Sequence, residues 1–116
     1  MTEEFRKEYH KAARRIAENR KHKEEIMLTM GLLDKKIHET TRYLSQQEQE
    51  RAAAMFARPR TAQLDEAVAR LTDDVDCLRK CLQALEYSKA IRLRQMREVD
   101  GKLECDRRVM EVCRVD

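Results

Sequence analysis

Apolar residues in the second half of the chain recur at alternating steps of four and three. Starting at Leu64, these steps reach a set that is apolar throughout: Leu64, Val68, Leu71, Val75, Leu78, Leu82 and Leu85. This spacing is the heptad pattern, which places apolar side chains on one stripe of a helix that pairs with another helix. We call these residues the second seam. Beyond it, the pattern meets Lys89 and Arg92, recovers at Met96, Val99 and Leu103, fails at Asp106, and returns at Met110 and Cys113.

A weaker stripe of the same kind runs through the first half. Its series begins at Phe5, Tyr9, Ala12 and Ile16, and its strongest part, which we call the first seam, is Ile26, Met30, Leu33, Ile37 and Leu44. Polar residues, among them Asn19, Lys23 and Gln47, occupy other positions of the same heptad series. Two interpretations of Asn19 and Lys23 are open: polar seam residues can fix the register of a helix pair, or the pair is loosely packed there.

The only proline divides these two patterns. Pro59 removes a helical hydrogen bond and clashes with the preceding turn, and it disfavours helical backbone at Arg58. Thr61 is a good residue for the N-cap of a following helix. We therefore predict a long helix over 1–57, a turn over 58–62 and a second long helix over 63–115. A kink within one continuous rod is the alternative.

A turn at Pro59 makes the fold an all-α antiparallel hairpin of two long helices, and a kink makes it a coiled-coil rod. In the hairpin, Leu71 lies near Gln47 and Leu78 lies near Thr40. The most apolar part of the second seam then faces the least apolar part of the first. We therefore expect further helices, from copies of this chain or from other proteins, to cover the remaining apolar surface.

The composition agrees with long helices and narrows the class of protein. Of the 116 residues, 41% are charged and 4% are aromatic, with two Gly and one Pro. This composition is typical of coiled coils and leaves little material for a globular core or for loops. No apolar run approaches the length of a membrane span, and the first residues are charged, unlike a secretory signal. We expect a cytoplasmic or cytoskeletal protein that does not bind membranes.

The net charge of +3 does not indicate a nucleic-acid-binding protein, because acidic and basic residues alternate along the chain. The stretch HKAARRIAENRKHKEEI, residues 10–26, resembles a basic region that precedes a leucine zipper. Glu18, Glu24 and Glu25 interrupt it, whereas phosphate contacts require net positive charge. We predict that this stretch is a solvated helix face.

The residues capable of chemistry are scattered. Cys77 and Cys81 are four apart, a spacing that zinc sites permit, but Cys105 lies ~36 Å further along a straight helix. We predict that these cysteines are small apolar residues beside the seam, while Cys113 belongs to the heptad series itself. Disulfides between chains are the alternative in an oxidising setting. We expect no metal, no cofactor and no catalytic site, because long helical rods lack a concave pocket.

Two segments resemble the tektin family. LLDKKIHETTRYLSQQEQERAAAMFARPR, residues 32–60, is similar to the polar helix that leads to the Arg-Pro corner of tektins, with Arg58 and Pro59 in those places. DGKLECDRRVMEVCR, residues 100–114, is similar to the last helix of the family, which carries an aspartate, a cysteine and an arginine. Asp106, Cys113 and Arg114 match them. Tektins are several times longer than this chain, which resembles a divergent member or a C-terminal fragment.

The resemblance implies a structural filament protein inside the doublet microtubules of cilia or flagella. Its partners are then other coiled-coil chains, either copies or tektins, together with tubulin and other axonemal proteins. The chain departs from the family after Pro59, because RTAQLDE replaces the characteristic Asn-Val-Glu-Leu-Cys-Arg-Asp. The alternative function is a general coiled-coil adaptor that forms oligomers and recruits a protein partner.

Overall fold

Two long helices make up nearly all of the chain. The computed structural model describes residues 2–114, in which α1 spans Glu3–Phe56, α2 spans Ala62–Arg114, and no strand is present. The all-α fold predicted from the heptad patterns is confirmed.

Each helix begins at a threonine that caps it. The Thr2 hydroxyl accepts a hydrogen bond from the backbone N–H of Phe5 at 3.2 Å, and the Thr61 hydroxyl accepts one from that of Leu64 at 3.1 Å. The first N–H groups of a helix have no partner within the helix, so such hydroxyls stabilise its start. Acidic side chains in the first turns, including Glu3 and Asp65, add a favourable interaction with the helix dipole.

The helix pair forms two compact units. Met1–Gly31 and Ala90–Asp116 form the terminal unit, and Leu32–Lys89 forms the corner unit, which contains the turn. The two helices run antiparallel in each unit, because ion pairs join residues far apart in sequence. In the corner unit, Arg79 reaches Glu48 at 3.1 Å, and in the terminal unit Arg15 reaches Asp106 at 2.9 Å across 91 positions.

These cross-helix contacts exclude the kinked continuous rod. Such a rod would hold Arg15 and Asp106 far apart, since each residue adds about 1.5 Å along a helix. The chain is therefore the antiparallel hairpin, the other form expected from the sequence.

The helix ends lie within a residue or two of the predicted boundaries. The turn occupies 57–61 and the second helix starts at Ala62, one residue before the predicted start. Differences of this size are normal at helix ends. The predicted end of the second helix at Val115 lies outside the described residues.

Small side chains and a few aliphatic ones form the most buried positions. Val75 is fully buried in the corner unit, where Leu71 and Gln47 are also buried. Ala12 is fully buried in the terminal unit, and Ile26, Val99 and Cys113 are nearly so. Each belongs to the heptad series identified in the sequence, so the core is the seam between the helices.

Candidate helix-assembly surface

The predicted seam residues are all at least half-buried, and three of them are buried. Of the second seam, Leu71 and Val75 are buried; Leu64, Val68, Leu78, Leu82 and Leu85 are half-buried. Of the first seam, Ile26 is buried; Met30, Leu33, Ile37 and Leu44 are half-buried. Two helices cover only part of an apolar stripe, because each side chain still has one open flank. The seam residues therefore pack between α1 and α2 on one side, and on the other side they leave an apolar surface open to solvent.

Charged residues occupy several positions of the seam. The Asp106 side chain is buried and accepts a hydrogen bond from Arg15 Nε at 2.9 Å. Lys89 and Arg92 are half-buried at seam positions, and Lys89 forms an ion pair with Asp34. Asp106 and Lys89 thus have opposite charges across the helix pair, whereas Arg92 donates a hydrogen bond to Gln95 on its own helix.

The two polar seam residues of the terminal unit pack at the interface. Asn19 and Lys23 are half-buried, and Lys23 Nζ lies 2.7 Å from a carboxylate oxygen of Asp100. A partly exposed ion pair contributes only about 0.2–1 kcal/mol, so its main effect is on alignment. This contact favours the interpretation that Lys23 fixes the register, over loose packing.

Two arginines complete the end of α1 at the corner. Arg58 Nη1 donates hydrogen bonds to the carbonyls of Met55 and Ala57, and Arg60 Nη1 donates to those of Ala54 and Met55 at 2.7 and 3.1 Å. The last carbonyls of a helix have no partner within the helix, and the negative end of its dipole favours cations. The two guanidinium groups supply both the hydrogen-bond donors and the positive charge. This matters because α1 has no basic residue of its own in its last turn.

Arg60 also connects the corner to the start of α2. Its guanidinium forms an ion pair with Asp65, in the first turn of α2. The Arg58–Pro59 peptide bond is cis, and Pro59 itself is exposed. Sequence reasoning selected Arg58, Pro59 and Thr61 as the corner residues but missed Arg60. The signal available was a basic residue just after a predicted helix end.

A groove follows one side of the helix pair in the terminal unit. Its volume is about 700 Å³, and Ile16, Leu103 and Met110 supply half-buried apolar side chains to its lining. Charged residues line it as well, including Arg20 from α1 and Glu104 from α2. If the seven positions of each heptad are labelled a to g, with the seam residues at a and d, all residues that line this groove fall at a, b or e. The groove is therefore the open flank of the seam.

Several large apolar side chains lie outside the seam and are exposed. In the terminal unit they include Met27, Leu28 and Val112, and in the corner unit Leu32 and Phe56, which is 78% exposed. Single exposed apolar residues are common on proteins. Those next to the groove extend its apolar area, which is typical of a surface that packs against another helix.

The cysteines differ from the expectation of apolar residues beside the seam. Cys77, Cys81 and Cys105 are exposed, whereas Cys113 is buried at a seam position. The interpretation as apolar side chains covered beside the seam is therefore wrong for Cys77, Cys81 and Cys105, and Cys113 lies in the seam itself. The other three lie on helix faces that the hairpin does not cover.

Neither metal-binding clusters nor membrane spans occur in the described part of the chain. Between residues 2 and 114, His, Cys, Asp and Glu side chains do not gather in groups of three or more that could hold a metal ion. No helix in the same range has a stretch long and apolar enough to cross a membrane.

Comparison with known proteins adds no relative. No family model, no curated protein and no solved structure matches this chain.

Proposed function

We propose that this protein is a structural coiled-coil component that packs side by side with other helices. The observation that carries this proposal is the half-buried seam, which leaves residues such as Leu82 and Leu103 partly exposed within an ordered helix pair. Burying apolar surface contributes about 25 cal/mol per Å², so covering the open flank with another helix is favourable.

The pairing of charges supports a fixed structural role. Arg15 with Asp106, and Lys23 with Asp100, match α1 to α2 at defined levels in the terminal unit. Matched charges at a helix pair select one register over others, even where each pair adds little stability. A component of a regular assembly needs such alignment, because each copy must present the same surface.

In its more specific form, the proposal is a tektin-like filament protein of ciliary or flagellar doublet microtubules. It rests on the resemblance of residues 32–60 and 100–114 to tektins, including Arg58, Pro59 and Cys113. Its partners are then copies of this chain or tektin-type chains, together with tubulin and other axonemal proteins.

Extraction of ciliated cells tests this function. The full chain, carrying a small tag, is expected to remain with the doublet microtubules after treatment with detergent and high salt. The Leu82→Asp variant is expected to be released, because a charge on the open flank opposes helix packing. A matched surface variant, Asp73→Lys, is expected to stay. Complete recovery of the unaltered protein in the soluble fraction contradicts the filament function and favours the adaptor.

A further inference from the structure

The groove of the terminal unit continues along both helices as an apolar strip. Met27 of α1 and Leu93 of α2 occupy heptad position e, the position that borders this groove. Met27 is 53% exposed and Leu93 is 40% exposed. Together with the half-buried Met30 and Met96, they place flexible or branched apolar side chains on the open flank.

Charged residues at heptad positions b and e, on the groove side of each helix, have the same order along the chain, Arg before Glu. Because the helices are antiparallel, this order is opposite in space. On α1, Arg20 precedes Glu24, and on α2, Arg97 precedes Glu104. Within residues 2–114, Arg20, Glu24 and Arg97 form no ion pair with another side chain. These charges are therefore available to an added helix.

The Lys23–Asp100 ion pair defines which residues of α1 and α2 lie at the same level. Counting from it in both directions places Arg20 level with Glu104, to within one turn. By the same count, Glu24 is close to the level of Arg97, and Met27 is close to that of Leu93. These three residues of α1 thus each have a complementary residue on α2 at nearly the same level. Glu104 also forms ion pairs with Arg107 and Arg108 on its own helix, so Glu24 and Arg97 are the complementary charges without a partner among the described residues.

A second copy, related to the first by a two-fold axis parallel to the helices, can use these complementary residues to form an interface. This axis places α1 of one copy beside α2 of the second copy, with levels unchanged, so that each rim of the groove faces the other rim. Arg20 then faces Glu104 of the second copy, and Glu24 faces Arg97 of the second copy. Met27 packs against Leu93 of the second copy, and the apolar strip becomes the centre of a four-helix arrangement.

We propose that the groove of the terminal unit is the docking face for a second copy of this chain, in the same orientation, forming a two-fold four-helix bundle. This inference rests on the proposed function, for which it names the partner. Charge complementarity and the continuous apolar strip select a second copy over an unrelated helix. Both features repeat symmetrically in such a pair, as bundle cores require.

Sedimentation equilibrium of the purified full chain tests the proposal. Its mass is 13.8 kDa as a monomer, and we expect a concentration-dependent dimer. Glu24→Arg should raise the dimer dissociation constant about tenfold, because two symmetric attractions become repulsions. Arg97→Glu should do the same. The double variant Glu24→Arg/Arg97→Glu should restore the original constant, since it re-forms both pairs with reversed sign.

The matched control is Arg94→Glu, which changes the same charge at heptad position f, away from the groove. It should leave the dissociation constant unchanged, and circular dichroism should show full helix content for all four variants. A weak dimer has a dissociation constant in the micromolar range. If the chain is still a monomer at a protein concentration about 100-fold above that range, the proposal is overturned. A dimer that responds equally to Arg94→Glu and Arg97→Glu, or that the double variant does not restore, also overturns it.

These outcomes are separable from failure of the proposed function. A purified monomer that nevertheless stays with the doublets in cells contradicts the second-copy interface and leaves the structural function standing. A dimer with the predicted charge dependence that is wholly extracted from cells contradicts the filament function and leaves the interface standing.

Discussion

Short polar side chains define where the helices begin, and the effect of each depends on its position. Thr61 caps α2 through its contact with the N–H of Leu64, whereas Thr41 lies within α1 and its hydroxyl donates a hydrogen bond to the carbonyl of Ile37. We expect Thr61→Ala to lower the free energy of unfolding by about 1 kcal/mol, because an N–H group loses its partner.

The same substitution at Thr41 is the control. Thr41→Ala should leave the free energy of unfolding unchanged or raise it by a few tenths of a kcal/mol, because alanine is the better helix former. Urea titrations followed by circular dichroism measure both values. Equal losses at Thr41 and Thr61 would show that the cap at the corner does not stabilise α2.

The buried carboxylate of Asp106 depends on its arginine. Arg15→Ala removes the hydrogen bond from Arg15 Nε and leaves Asp106 buried without its cross-helix partner. We expect a loss of about 1–3 kcal/mol in the free energy of unfolding. Arg14→Ala, at the exposed neighbouring position, should change it by less than about 0.5 kcal/mol. A similar small effect at both positions would mean that water replaces Arg15 at no cost.

Individual polar residues in the seam could not be interpreted from the sequence alone. Asp106 and Lys89 interrupt an apolar pattern, and nothing local shows that each has an opposite charge across the hairpin. Their partners, Arg15 and Asp34, are identified only after the register of α1 against α2 is known. Arg60 is different, because its acceptors, the carbonyls of Ala54 and Met55, lie only five or six residues before it and were within reach of sequence reasoning.

The helices themselves include two positions that weaken them without a packing reason. A β-carbon added to Gly31 or Gly101 meets no atom within 4 Å, and neither residue has a positive φ. Neither glycine therefore marks a close helix contact, which was one of the explanations that an isolated glycine in a helix allows.

Replacing these glycines should stabilise the protein. Gly31→Ala and Gly101→Ala should each raise the free energy of unfolding by up to about 1 kcal/mol, because glycine loses more backbone entropy than alanine in a helix. Thermal melts at a fixed protein concentration, followed by circular dichroism, measure the shift. A lower melting temperature for either variant would show that the helix is strained at that glycine.

The seam between α1 and α2 holds the hairpin together. Leu71 is buried, and Leu71→Asp should lower the free energy of unfolding by about 3 kcal/mol or more, since it removes apolar burial and adds a desolvated charge. Asp73→Lys, at an exposed position two residues away, should have an effect below about 0.5 kcal/mol. Comparable effects in urea titrations would mean that the Leu71 side chain is solvated.

The elements could be predicted because their signals are local and repeated. Heptad spacing from Leu64 to Leu85 specifies one helix face, and Pro59 with Thr61 specifies where one helix ends and the next begins. The exposure of Cys77 and Cys81 was not predicted. Whether a position beside the seam is covered depends on the side chains of the facing helix, and these are known only once the helices are paired.

For the molecule as a whole, the sequence and structure define the fold more closely than they define the function. The seam and groove show which surface is available, but many proteins share such surfaces, and their partners are chosen by charge order and by the rest of an assembly. Half-buried residues such as Leu82 and Leu103 leave apolar surface open beside the seam. The proposed filament function rests on the resemblance of residues 32–60 and 100–114 to tektins.

The most direct test is the distance between the two helices within the corner unit. Spin labels at Asp34→Cys and Lys89→Cys, in a chain whose native cysteines are replaced, report it by pulsed electron resonance after dilution with unlabelled protein. Asp34 and Lys89 form an ion pair in the hairpin. We therefore predict a distance below about 20 Å, from helix axes about 10 Å apart plus the label arms. A distance near 80 Å, expected for one continuous helix between these positions, would contradict the hairpin.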